Sequence, residues 1–354
     1  MPQQPGQLND IIFPLLDWFR SNARTLPWRS DPQPYKVWVS EIMLQQTRVA
    51  AVLGYFARFM EALPTVADLA GAEEEQLLKL WQGLGYYNRA RNLQKAARQV
   101  MEDWGGVFPA RDEDILTLKG VGDYTAGAIA SIAFGEAVPA VDGNVLRVIT
   151  RITADSSDIA KPETKANIRT ALSGIIPLDF PGQFNQALME LGALVCLPNG
   201  APLCDRCPLS RLCRAHLEEK TAEIPRKAPK KARRVEERTV CLIFHEGQVA
   251  LRQRPAKGLL ASLWEFPNYL TGEGLPWTLN LANMEQAGRG KHIFTHMEWH
   301  MEGVAITLSD RTLPEGWVWA DGEALRDRYA LPNAFRAFLP YVEARLREEE
   351  GAWS

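Results

Sequence analysis

The chain has 354 residues, 46% hydrophobic and 23% charged. That is an ordinary globular mix at a length that suits two or three domains of roughly 100–200 residues each. It excludes a disordered or fibrous chain, and no apolar run approaches the roughly 20 residues of a membrane span. The net charge of −3 argues at first against a nucleic-acid partner, but the charge is unevenly spread. Residues 1–219 hold 21 basic against 25 acidic side chains, residues 220–238 hold 8 against 3, and residues 239–354 hold 11 against 15. A basic hinge of +5 therefore joins two mildly acidic blocks.

In chain order, Met1-Pro2-Gln3-Gln4-Pro5 has neither the basic region nor the apolar core of a signal peptide. The expectation is a cytoplasmic protein with no membrane partner. The first 220 residues read as helical, because Ile42, Val49, Val52, Phe56 and Phe59 recur at helical spacing. Breaks such as Leu63-Pro64-Thr65 and Trp104-Gly105-Gly106 divide the region into helices of ordinary length. Within it, Leu26-Pro27-Trp28-Arg29 precedes Pro34–Thr47, where a helix puts Glu41 on one face with Val37, Trp38 and Leu44. A carboxyl group among apolar side chains resists ionisation, so its pKa rises toward that of a general acid. A surface Glu at a helix start fits the same spacing.

Next, Leu118-Lys119-Gly120-Val121-Gly122-Asp123-Tyr124 makes a tight turn before an Ala-rich helix. Such a turn can present backbone N–H groups to a phosphate, although an ordinary interhelical turn has the same pattern. Val141-Asp142-Gly143-Asn144 follows about 20 residues later with a carboxylate in a Gly-containing loop. Four of the five cysteines then fall within 18 residues, as Cys196-x7-Cys204-x2-Cys207-x5-Cys213. Four clustered thiolates suit a structural zinc ion or an iron–sulfur cluster, and the graded spacing favours the cluster. Residues 222–236, with two prolines and no apolar periodicity, read as an extended linker. Beyond it, residues 238–245, 248–254 and 299–308 are β-rich, and a helix is expected from Asn333 to about Glu349. Cys241, in an apolar strand, reads as a core residue.

Together Trp38–Thr47, Gly83-Leu-Gly-Tyr-Tyr-Asn-Arg-Ala-Arg-Asn92, Val141–Asn144 and Phe184-Asn-Gln-Ala-Leu-Met-Glu-Leu-Gly192 closely resemble the adenine DNA glycosylases of the MutY family. That family belongs to the helix-hairpin-helix, endonuclease III-like superfamily. The resemblance implies a multi-domain fold: an all-α glycosylase region, with a helical barrel and a [4Fe-4S] domain, followed by an α+β Nudix-like domain. The limits it suggests are 1–221 for the glycosylase region, with about 26–138 as the barrel and 1–25 plus 139–221 as the iron–sulfur domain. The basic linker takes 222–236 and the Nudix-like domain 237–346.

The resemblance also assigns roles. Glu41 would protonate N7 of a flipped adenine, and Asp142 would stabilise the sugar cation, supported by Tyr124 and Asn144. Trp28, Arg29 and Gln186 match adenine-binding positions. Leu84 and Tyr86 match the duplex wedge, while Gln46, Thr47, Phe294, Thr295 and His296 match positions that read 8-oxoguanine. Gly120, Val121 and Gly122 would meet the DNA backbone, with Arg89 and Arg91 as further phosphate contacts. Cys196, Cys204, Cys207 and Cys213 would hold the cluster, although the first gap is one residue longer than the family's usual six. Tyr124 stands where bifunctional relatives carry a Schiff-base lysine, so a monofunctional enzyme is implied.

Gly258–Pro267 fits the Nudix opening motif, but the metal-binding Arg-Glu-x-x-Glu-Glu stretch is absent and Arg347–Glu350 does not replace it. A recognition module without pyrophosphohydrolase activity is therefore expected. The implied partner is duplex DNA holding A opposite 8-oxoguanine, bound by a monomeric, nucleoid-associated protein. A thymine-mismatch glycosylase and a catalytically inactive lesion-binding module are the alternatives.

Overall fold

The structure, a computed structural model, describes residues 6–229, 232–273, 277–278 and 280–351. Met1–Pro5 and linker residues Lys230 and Lys231 lie outside the described residues, as do the side chains of Glu349 and Glu350. The chain forms two compact units, Met1–Gly71 with Asn92–Pro229, and Ala72–Arg91 with Lys230–Ser354.

The first unit is helical, as the 3.6-residue pattern predicts. Pro27, Pro34, Pro162 and Pro181 each stand in the opening turn of a helix, where a missing N–H costs no hydrogen bond. The Asp123–Phe134 helix ends at Gly135, which takes the left-handed conformation with φ 72°. Its small side chains Ala126, Ala128 and Ala130 are fully buried. They let the Pro34–Leu44 and Pro181–Leu194 helices pack closely against it. Leu15, Ile149, Phe184 and Leu188 form a core that is entirely removed from water. Burial of this kind contributes roughly 25 cal/mol per Å² of apolar surface.

The second unit is built on a seven-stranded sheet. Its strands are β1 (Arg234–His245), β2 (Gln248–Gln253), β3 (Trp264–Glu265), β4 (Asn268–Leu270), β5 (Leu281–Ile293), β6 (Met297–Leu308) and β7 (Trp317–Ala320). The main path runs β3-β2-β1-β6-β5, with β1 and β6 parallel. Val240, Leu242 and Phe244 of β1 face one core with Phe335 and Phe338, whereas Cys241 and Ile243 face another with Ile306. A strand buried on both faces reads as a continuous apolar run, and Cys241 is indeed a core residue.

Two local expectations need revision, and one strand was not foreseen. The expected helix from Asn333 opens as a 3-10 segment, Asn333–Phe338, before the α-helix Leu339–Gly351. Both ends of the expected linker are structured. Arg151 Nε donates to Ile224 O at 2.7 Å, and Asp158 bridges to Arg226. At the other end, β1 already begins at Arg234. Strand β5 had no signal in the sequence, because Glu285, Gln286, Arg289 and Lys291 break the apolar alternation.

The second unit also contains the Glu74–Trp81 helix and the Gly83–Tyr87 turn. Lys79 Nζ donates to Tyr329 O at 3.1 Å and to Leu325 O at 3.3 Å. Asn333 Nδ2 donates to Gly83 O at 3.0 Å, and Arg91 Nη2 donates to Ala261 O at 2.5 Å.

Candidate active site

Glu41 sits in the last turn of the Pro34–Leu44 helix and is 5% exposed. Tyr124, at the start of the Asp123–Phe134 helix, donates its hydroxyl to Glu41 Oε2. Burial pushes the Glu41 carboxyl up to about 7; Tyr124 opposes the shift, Asp142 reinforces it, and the Arg29 charge opposes it. Burial, then the neighbouring carboxylates of Glu41 and Asp142, hold the Tyr124 phenol well above its ordinary range. The pair is therefore a proton donor poised near neutrality with a phenol that stays protonated.

Asp142 caps the Gly143–Thr153 helix. Its Oδ1 accepts from Val145 N at 2.8 Å and its Oδ2 from Asn144 Nδ2 at 2.7 Å. Burial raises its pKa, against which the Val145 and Asn144 donors and the Arg147 charge act. Arg147 Nη2 in turn donates to Asn144 Oδ1 and to Gly192 O, both at 2.8 Å. A Cβ at Gly192 would stand 2.6 Å from Asn144 Cβ, so glycine is what lets the Pro181–Leu194 helix close on this corner.

Tyr124 and Asp142 line one cleft of about 1120 Å³ with Gln46 and Gly122. Lys165, Arg169 and Lys227, none of them singled out in the sequence as site residues, also line it. Thr47 lies beside the cleft residue Gln46 and donates within its own turn, to Gln45 O at 3.4 Å. In the hairpin, Val121 N donates to Leu118 O at 3.1 Å, and Gly120 has φ 79° with Asn92 Cβ 2.6 Å from where a Cβ would stand. Trp28 is buried edge-on to Phe56, with ring centroids 5.0 Å apart. Gln186 Nε2 donates to Gly182 O at 3.2 Å. Arg29 Nη2 pairs with Glu190 at 2.7 Å, an acid the sequence reading passed over. Its signal in the sequence is the single ionisable side chain of the Pro181–Leu194 helix.

In the second unit, Phe294-Thr295-His296 forms the tip of the β5–β6 hairpin, closed by Phe294 N to Met297 O at 2.8 Å. Phe294 packs edge-on to Trp299 at 4.9 Å, and Thr295 and His296 are exposed. Tyr86 is half-exposed, with φ 48°, and its hydroxyl lies 3.1 Å from Thr295 Oγ1. The structure thus brings the expected wedge residue and the hairpin tip together, whereas Leu84 is buried.

Arg89 and Arg91 depart from the expected phosphate contacts. Arg89 Nη2 donates to Leu84 O at 3.0 Å and to Gly85 O at 3.2 Å, and burial lowers its pKa to about 10. Arg91 pairs with Glu74 at 2.7 Å besides reaching Ala261 O. The Arg89 guanidinium serves the turn itself, and that of Arg91 joins the Glu74–Trp81 helix to Ala261.

Cys196, Cys204, Cys207 and Cys213 line one small pocket with Arg151. Arg151 Nη1 donates to Cys196 Sγ at 3.2 Å, and Cys213 Sγ lies 3.4 Å from Arg151 O. Burial pushes the Cys207 thiol up to about 12, so thiolate formation here requires compensating positive charge. Among the described residues no three His, Cys, Asp or Glu side chains form a metal-binding group, but four thiols lining one pocket are of the donor type that an iron–sulfur cluster takes.

No helix among the described residues is long and apolar enough to cross a membrane. Residues 39–174 match the family model for HhH-GPD superfamily base excision DNA repair proteins, and residues 239–341 match a NUDIX domain. An adenine DNA glycosylase of Rattus norvegicus is 36% identical over 94% of this chain and 78% of its own length. One of Homo sapiens is 36% identical over 92% and 73%, and one of Buchnera aphidicola is 33% identical over 83% and 85%. Among solved structures, a thermostable thymine-DNA glycosylase aligns at TM-score 0.55 and 28% identity, covering 60% of this chain and 98% of that one. Endonuclease III in a non-covalent DNA complex aligns at 0.53 and 26%, covering 61% and 98%. With paired carboxyl groups on a helical scaffold, a NUDIX-type second half and relatives matched over most of their length, the chain belongs to the adenine DNA glycosylase family.

Proposed function

We propose that this chain is a monofunctional DNA glycosylase that removes adenine placed opposite 8-oxoguanine, or opposite G, in duplex DNA. The observation that carries the reading is the pairing of protonatable, buried Glu41 with Tyr124, which lines a cleft together with Asp142. Adenine must leave the stack to be reached, at a cost of a few kcal/mol. Insertion of Tyr86 beside the lesion offsets that cost, with Leu84 behind it and Gln46, Thr47, Phe294, Thr295 and His296 reading 8-oxoguanine. Trp28, Arg29 and Gln186 bind the flipped base, and Gly120, Val121 and Gly122 meet the DNA backbone.

Glu41 donates its proton to N7, so the electron pair of the C1′–N9 bond leaves on adenine. Asp142, oriented by Asn144 and Val145 N, stabilises the cationic sugar, as one of two carboxyl groups does in glycoside hydrolysis. Water adds at C1′ and its proton returns to ionised Glu41. Tyr124 holds the Glu41 carboxyl and cannot form an imine with the abasic sugar.

Cys196, Cys204, Cys207 and Cys213 would hold a [4Fe-4S] cluster that supplies a structural cross-link rather than chemistry at the base. The working domain scheme keeps a catalytic region to about 221 and a recognition domain from about 237, with residues 72–91 grouped with the second unit and the 222–236 linker shortened by the structured Ile224, Arg226 and Arg234. A monomer acting at the nucleoid in the cytoplasm completes the reading.

The test is single-turnover excision from duplexes holding A opposite 8-oxoguanine, A opposite G, and T opposite G. Excision from the first two and not the third is expected, with Glu41→Gln binding the first duplex but not cleaving it. Efficient borohydride trapping of an enzyme–DNA crosslink overturns the monofunctional assignment. Preferred excision of T opposite G overturns the substrate assignment.

A further inference from the structure

Glu190 lies in the Pro181–Leu194 helix, one turn beyond Gln186, and is 1% exposed. It adjoins Met189, whose Sδ is 3.7 Å from Tyr124 Oη. Its Oε1 accepts from Arg24 N at 3.0 Å and Arg24 Nε at 2.7 Å. Its Oε2 accepts from Arg24 Nη2 at 2.8 Å and Arg29 Nη2 at 2.7 Å. Arg29 Nη1 also donates to Arg24 O at 3.2 Å, and its guanidinium carbon stands 5.5 Å from the Phe19 ring centroid. Arg29 is thus held from three sides.

A buried carboxylate needs hydrogen bonds and a counter-charge. Arg24 supplies both through a bidentate pair and its own backbone N–H. Arg29 adds one more hydrogen bond and charge to an anion that Arg24 already grips on both oxygens, and the same bond fixes the Arg29 guanidinium. That residue's charge reaches Glu41, where it favours the ionised carboxylate. The groups acting on Glu41 are Tyr124 and Asp142, from the Asp123–Phe134 helix and the cap of the next, and Arg29 from the Pro27–Ser30 helix. Of these, Arg29 alone is cationic, so whatever neutralises Arg29 keeps Glu41 protonated.

We propose that Glu190 is a positioning residue of the base pocket: its buried carboxylate fixes the Arg29 guanidinium and cancels part of its charge beside Glu41. This rests on the proposed role of Glu41 as the acid. Single-turnover adenine excision by the full-length protein, followed across roughly pH 5 to 9, tests it. Glu190→Gln keeps the size of the side chain but bares the charge on Arg29. Its rate at neutral pH is expected to fall about fivefold, and the alkaline limb of the profile to move about one unit lower. Glu190→Asp, which restores the charge on a shorter arm, recovers the wild-type limb. A Glu190→Gln profile superimposable on wild type overturns the inference. So does an equal loss at every pH in both variants that follows their melting temperatures, the mark of a purely structural acid. A wild-type protein that excises no adenine at all sinks the proposed function instead.

Discussion

At the scale of the residue, Glu41 sets activity against stability. Its folded pKa of about 7 lies above the ordinary 4.5, so the native state binds that proton more tightly than the unfolded chain. Stability is therefore lost as pH rises from 4.5 to about 7, by an amount on the order of 3 kcal/mol. Glu41→Gln removes the titration while keeping an oxygen to accept the Tyr124 hydroxyl. The variant should melt at a higher temperature than wild type above pH 7, with the two converging near pH 4.5. Calorimetry at both pH values checks this, and equal melting temperatures at alkaline pH would mean that Glu41 is not ionising in a buried site. In wild type the same titration predicts excision that declines as pH climbs past about 7.

Glu41 could be singled out from sequence because its apolar neighbours Val37 and Trp38 sit at helical spacing, and the fold buries all three. Its partners could not be ranked in the same way. Glu190 and Asn144 acquire meaning only when the Pro181–Leu194 helix closes on the Gly143–Thr153 helix at Gly192. That is a tertiary approach with no local periodicity behind it. The intramolecular partners of Arg89 and Arg91 are hidden from sequence for a related reason. A basic side chain in a turn near DNA looks available for phosphate, yet the carbonyls of Leu84, Gly85 and Ala261 take up the guanidinium groups.

At the scale of the element, the turn carrying Tyr86 is fastened to the sheet unit. The Asn333 bond to Gly83 O and the Lys79 bonds to Leu325 O and Tyr329 O hold the stem, while Tyr86 itself meets Thr295. Losing one such hydrogen bond costs about 1 kcal/mol, or roughly fivefold in an equilibrium. Asn333→Ala should therefore lower the preference for A opposite 8-oxoguanine over A opposite G by about fivefold. Single-turnover rates on the two duplexes measure it, and an unchanged ratio would separate the Gly83 contact from lesion reading. Strand β5 shows how such elements escape a sequence reading. It is a polar edge strand with register shifts near Asn283 and Gln286, and edges are kept irregular and charged to prevent pairing with other chains.

At the scale of the whole molecule, the net charge of −3 does not exclude DNA, because the cations are placed locally. Lys165 and Lys227 line the cleft, while Arg169, beside them, is shared by Asp112 and Asp123 at 3.0 Å each. Each phosphate contact contributes about −0.9 to the slope of log affinity against log salt. Binding to undamaged duplex should depend only modestly on salt, and Lys227→Ala should flatten the slope by about one. Titrations at several salt concentrations decide this, and a slope equal to wild type removes Lys227 from the DNA contact.

The allocation of Ala72–Arg91 to the sheet unit bears on how this protein can be re-engineered. The chain passes between its units three times, after Gly71, after Arg91 and after Pro229. The sheet unit is thus encoded in two separate stretches of sequence, one lying inside the family match at 39–174. A chimera that exchanges only the residues after Pro229 would strand Lys79, Gly83 and Arg91 without the carbonyls and amide that hold them. A transplant that carries residues 72–91 together with the new C-terminal half keeps the graft intact.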